Sequence, residues 1–109
     1  MKNATLTQKK GSTLPALKMQ LLDSDGNPVN LTGATVKFRM GATPGSPMIV
    51  AAATIVDATT GIVSYSWAAG DVDTVGTYNG EWVATYAGSN VQIVPSSGFV
   101  RVIIESNAA

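Results

Sequence analysis

The sequence predicts an all-β fold built as a sandwich of antiparallel sheets. Three observations carry that expectation. First, Val, Ile and Thr supply thirty of the 109 residues, against twenty-two from Leu, Met, Glu, Lys, Gln and Arg together. β-Branched side chains suit a pleated, half-buried surface, where their restricted χ1 angles cost little and their methyls pack across strands. Second, no stretch keeps a helical period over eleven or more residues. Third, short alternating runs recur at roughly 8–12-residue spacing, with turn residues between them.

The elements follow in order. Residues 1–13 are a polar leader ending in Gly11-Ser12-Thr13, which reads as an extended N-terminal arm; residues 14–109 make the sandwich. Leu17, Met19 and Leu21 alternate with Lys18 and Gln20 in a first strand. Asp23-Ser24-Asp25-Gly26-Asn27-Pro28 is a turn. Val36, Phe38 and Met40 alternate with Lys37 and Arg39 in a second strand, and residues 41–47 form a Gly/Pro loop. Residues 48–56 read as one apolar strand, whose central Ala51-Ala52-Ala53 implies close packing against a large residue or a neighbouring chain. After a turn from Asp57 to Gly61, Val63, Tyr65 and Trp67 alternate with Ser64 and Ser66. Residues 68–76 are a loop.

Tyr78, Gly80, Trp82, Ala84 and Tyr86 then share one face of a long strand. Ala87-Gly88-Ser89-Asn90 turns the chain into residues 91–94, Pro95 breaks that edge, and Val100, Val102 and Ile104 run along the last strand. Seven strands in about 90 residues is the size of an immunoglobulin-like sandwich. Tyr78, at a strand start just after Gly76, stands where sandwich tyrosines hydrogen-bond back to the corner backbone. Trp67 and Trp82 are both expected in the core. The Cys…Trp…Cys pattern of antibody domains is absent.

Composition excludes much chemistry. The chain has no His and no Cys, so it offers no imidazole base, Ser-His-Asp triad, thiolate, disulfide or Cys-type zinc site. At this length one core fits, with a folded surface of about 5,700 Å². Charged residues are 13% and hydrophobic ones 45%, the reverse of a disordered composition. Net charge is +0, which favours association. The charge is split along the chain. Lys2, Lys9, Lys10, Lys18, Lys37 and Arg39 against Asp23 and Asp25 give residues 1–39 a net +4. Arg101 against Asp57, Asp71, Asp73, Glu81 and Glu105 gives residues 40–109 a net −4. Such a bipolar chain suits head-to-tail packing or a basic arm laid on an acidic host. Phe38 alone accompanies the basic half, so nucleic acid is not expected as a partner. The polar start and the nine-residue apolar maximum of residues 48–56 give neither a secretory signal nor a membrane span.

Four constellations bear on chemistry. Asp23-Ser24-Asp25-Gly26-Asn27 opens like a calcium loop, but Pro28 stands where that loop needs Gly and Ala34 where it needs Glu; a β-turn explains it better. Asp71 and Asp73 are a carboxylate pair in one short loop, where capping and solvation outweigh acid–base catalysis. Tyr65, Trp67, Tyr78 and Trp82 make either a core or a ligand platform for sugar or nucleic acid, and their alternation favours the core. Gly41-Ala42-Thr43-Pro44-Gly45 lacks the Lys and the helix of a phosphate loop. No cofactor, metal or catalytic residue is expected.

Three blocks in order carry a resemblance. They are residues 23–40; Asp57 and residues 61–67 with Asp71 and Gly76-Thr77-Tyr78; and Val94-Pro95 with residues 98–102. Together, over about residues 17–104, they resemble the N-terminal immunoglobulin-like domain of phage baseplate upper proteins, a module also seen in other phage virion proteins. The resemblance implies a non-enzymatic structural part of the virion, made in the host cytoplasm and anchored to a larger assembly. In that family a helical stem follows the domain; this sequence ends at Ala109 without one, so a decoration, fibre-base or connector role is expected. The implied partners are other virion proteins of the capsid or the tail and baseplate, bound in many copies, with no membrane. Lys2, Lys9 and Lys10 of the arm, Pro44 in the 41–47 loop, and Asp71 and Asp73 in the 68–76 loop are the candidate partner contacts. The alternative is a carbohydrate- or host-surface-binding sandwich, which requires an exposed aromatic cluster.

Overall fold

The computed structural model describes residues 5–14, 16–42, 48–68, 70–95 and 99–106. It holds nine strands: β1 Thr5–Lys9, β2 Leu17–Gln20, β3 Thr35–Gly41, β4 Ile49–Ala52, β5 Thr54–Asp57, β6 Ile62–Tyr65, β7 Gly76–Thr85, β8 Val91–Val94 and β9 Val100–Glu105. They form two sheets. The larger has the order β1-β9-β7-β3-β4, with β8 also paired to β7; the smaller has the order β2-β6-β5. All pairings are antiparallel except β1 with β9, which is parallel. The chain is therefore an all-β sandwich, as expected, with nine strands among the described residues where about seven were expected.

Two expectations account for the difference. The single strand expected over residues 48–56 is two, because the chain crosses between sheets at Ala53. β4 pairs with β3 in the larger sheet and β5 with β6 in the smaller. The small residues serve that crossing: Ala51 lies opposite Phe38, and Ala51 and Ala53 pack against the core. The other difference concerns the expected arm. Residues 5–9 are extended, but they are hydrogen-bonded along β9 of the same chain, with Thr5 opposite Arg101 and Lys9 opposite Glu105. These five residues of the expected extended arm thus form the edge strand of the larger sheet. Leu6 and Gln8 point inward while Thr5, Thr7 and Lys9 are exposed, the period-2 alternation of an ordinary strand.

β8 and β9 run along the same edge of β7. Trp82 faces Val94 and Gly80 faces Val100, so β8 and β9 follow one another along that edge. The Val94–Pro95 peptide is cis.

The core centres on Phe38. Its ring lies 4.9 Å from Trp82, 5.1 Å from Tyr65 and 6.1 Å from Trp67, so the two tryptophans meet through it. Gly80 makes the room: a Cβ there would sit 2.9 Å from Phe38 Cζ. Leu21, Val63, Val72, Met40, Val102 and Ile104 complete the core, all essentially fully buried. The folded surface is 6051 Å², close to the value expected for one core of this size.

Candidate functional site

One end of the sandwich gathers most of the predicted contacts. Gly41 pairs with Asn79 and Gly76 with Ile104, so the end of β3, the start of β7 and the end of β9 lie together. The turn after β1 joins them. The Lys10 amide donates to the Glu105 carbonyl at 2.7 Å, and the Gly11 amide donates to the Val72 carbonyl at 2.8 Å. Segments 9–12, 70–75 and 105–106, far apart in sequence, therefore form one surface.

Its charges are placed differently from one another. Lys9 Nζ lies 3.8 Å from Glu105 Oε1, both well exposed, a pair worth no more than about 1 kcal/mol. Lys10 and Asp73 are also exposed. Asp71 is not a free contact: its Oδ2 accepts from the Tyr65 hydroxyl at 2.5 Å and from the Ala68 amide at 2.7 Å. It caps its own loop and ties that loop to β6. The hydrogen bond and charge of Asp71 add to burial, the larger cause, in raising the Tyr65 phenol well above its ordinary pKa. Asp71 and Asp73 thus differ in role, which suits loop capping and not a paired acid and base. Lys2 and Pro44 lie outside the described residues.

Sequence reasoning missed the residue that secures this end. Gln8 is buried, and its side-chain amide donates to the carbonyls of Ser12 at 2.6 Å and Leu14 at 3.1 Å. An inward-facing Gln between Thr7 and Lys9 was the available signal. Beside it a shallow, open groove of about 410 Å³ runs over Val75, Gly76, Thr77, Ile103, Ile104, Glu105 and Ser106. Val75 is half exposed and gives the rim an apolar element.

The remaining constellations resolve into structure. Asp23 Oδ1 accepts from the amides of Asp25 at 2.9 Å and Asn27 at 3.0 Å, which makes the segment a self-capped turn. Tyr78 donates its hydroxyl to the Thr74 carbonyl at 2.7 Å, the corner bond its position implied. Tyr65, Trp67, Tyr78 and Trp82 are all at least 95% buried. Tyr86 is half buried and donates to the Asn30 carbonyl at 3.1 Å. The exposed aromatic cluster that a carbohydrate platform requires is not formed by these residues.

Comparison with known proteins gives one family. A family model described as the BppU N-terminal domain, that of phage baseplate upper proteins, matches residues 4–107. Among solved structures the chain is similar to the N-terminal domain of phage TP901-1 ORF48, with a TM-score of 0.67 and 17% identity, over 96% of this chain and 90% of that one. At that identity the likeness is one of fold. No curated protein matches.

Proposed function

The chain belongs to the baseplate upper protein N-terminal domain family of phages, a family of virion structural domains, and from that premise we propose that it is a non-enzymatic docking module. It binds other virion proteins through the end formed by segments 9–12, 70–75 and 105–106. One observation carries the choice of surface: three segments distant in sequence converge there, held by main-chain bonds and by Gln8, and leave Lys9, Lys10, Asp73 and Val75 exposed. A surface built on main-chain bonds is preorganised, so little conformational entropy is lost on binding. Exposed charges of both signs set register and discriminate between partners more than they add affinity. Repetition of the module in many copies would make a weak single contact sufficient.

The test is incorporation into particles. The full chain, Lys9→Glu and Asp73→Lys are each offered during assembly, with Lys18→Glu on the smaller sheet as the control. We expect the two reversals to lower occupancy about tenfold, the effect of roughly 1.4 kcal/mol, with both variants folded at the assembly temperature by circular dichroism and the control normal. Full occupancy by both reversals sinks the assignment of this end. Deleting residues 2–12 is a poor substitute, since it would also strip β1 from the sheet.

A further inference from the structure

The edge of β8 breaks the rules by which sheet edges stay single. Edge strands are normally blunted by charges, bulges or covering segments. β1, β2 and β5 carry Lys9, Lys18 and Asp57. On the outer face beside β4, Val50 lies next to Arg39, which is ion-paired to Glu81 at 2.6 Å. Among the described residues β8 carries no charge, bulge or covering segment, and only its shortness and Pro95 just past its end limit it. Its one strand partner among the described residues is β7, and no charged residue occurs between Glu81 and Arg101. Val91 and Ile93 stand 57% and 39% exposed on its outer face, with Val83 beside Ile93.

We infer that β8 pairs with β8 of a second copy, antiparallel about a two-fold axis through Gln92. The backbone allows this register. The Tyr86 amide donates to the Asn90 carbonyl across the hairpin at 2.7 Å, so by the alternation of an antiparallel ladder Ala84–Gln92 and Trp82–Val94 are the bonded pairs. The N–H and C=O groups of Val91 and Ile93 then point away from β7. Rotation about Gln92 sets Val91 opposite the second copy's Ile93, and the reverse, completing four main-chain hydrogen bonds. The same rotation joins Val83, Ile93 and Val91 of both copies into one apolar cluster. Neutrality selects the occupant: a two-fold contact brings each charge near its own image, and this edge has no charge to repel. Four residues a side bury much less than the roughly 800 Å² per partner of a stable complex, so the pairing is weak in solution and gains strength when copies are held on one particle. It uses a different surface from the loop end, and does not rest on that reading.

The chain has no Cys, which permits a direct test. Residues facing each other in a non-bonded antiparallel pair have Cα atoms about 4.5 Å apart, within disulfide reach. Gln92→Cys should form disulfide-linked dimers under mild oxidation at least about tenfold faster than Ser24→Cys in the exposed turn. Sedimentation equilibrium from about 10 μM to about 1 mM, the range of weak affinities, should show dimer rising with concentration, and the Val91→Lys/Ile93→Lys double variant should stay monomeric with its fold intact by circular dichroism. A chain that is monomeric throughout, with Gln92→Cys linking no faster than Ser24→Cys, overturns the proposal.

Discussion

At the scale of single residues, two tyrosines hold the loop end in place, each through a different kind of acceptor. Tyr78 donates to a main-chain carbonyl, Thr74 O, from a side chain that is itself in the core. Tyr78→Phe should therefore cost about 1–2 kcal/mol, seen as a fall of roughly 4–8 °C in Tm per kcal/mol, with the fold retained. Tyr65 donates to a carboxylate, Asp71 Oδ2. Burial, then the hydrogen bond and charge of Asp71, raise its phenol pKa, so the neutral phenol favours the folded state. That stabilisation is complete below about pH 10, the unfolded phenol value, and is lost as pH rises through the folded one. The urea midpoint of the native chain should fall above pH 10. Tyr65→Phe should lower the midpoint at pH 7 and flatten that alkaline fall. Equal alkaline slopes in the two proteins would assign it to another group.

At the scale of elements, β1 is the clearest case of tertiary structure overriding a local reading. Its alternation, with Leu6 and Gln8 in and Thr5, Thr7 and Lys9 out, is as regular as that of β3. It reads as a leader because Thr, Gln and Lys give it little apolar area, and only the ladder to β9 makes it a strand. Gln8→Ala should free the carbonyls of Ser12 and Leu14 at a local cost of about 1–3 kcal/mol. Amide exchange at Gly11 and Ser12 should then accelerate by tenfold or more, while exchange in β7 stays slow. Equal protection in both proteins would show that main-chain bonds alone hold β1. The crossing at Ala53 is illegible for a related reason. Both halves of residues 48–56 are apolar, and composition does not say which sheet each half joins.

At the scale of the whole molecule, the linear charge split is folded away. Lys9 and Arg39 of the basic half pair with Glu105 and Glu81 of the acidic half, because β1 lies on β9 and β3 on β7. Among the described residues these two pairs bring charges of the basic and acidic halves together across the sheet. The two sheets share one core, with Phe38 touching both Trp67 and Trp82. They should unfold together. Single-tryptophan variants, Trp67→Phe and Trp82→Phe, should each give fluorescence and far-ultraviolet dichroism midpoints that coincide in urea. Separated midpoints would mean that one sheet survives the other.

What the sequence determined by itself was carried by strongly apolar local periods and by local turns. The alternations of residues 36–40, 76–86 and 100–104, the self-capping Asp23 turn and the Tyr78 corner are contained in a few consecutive residues, and each appears in the structure as read. The order of these blocks was also enough to place the chain in its family. Only the tertiary structure decided what depends on partners distant in the chain: that β1 joins β9, that β4 and β5 belong to different sheets, that Asp71 is occupied while Asp73 is exposed, and that Gln8 secures the loop end. Those outcomes follow from which strand edges and which carbonyls meet in space, and spacing along a single chain does not encode that pairing locally.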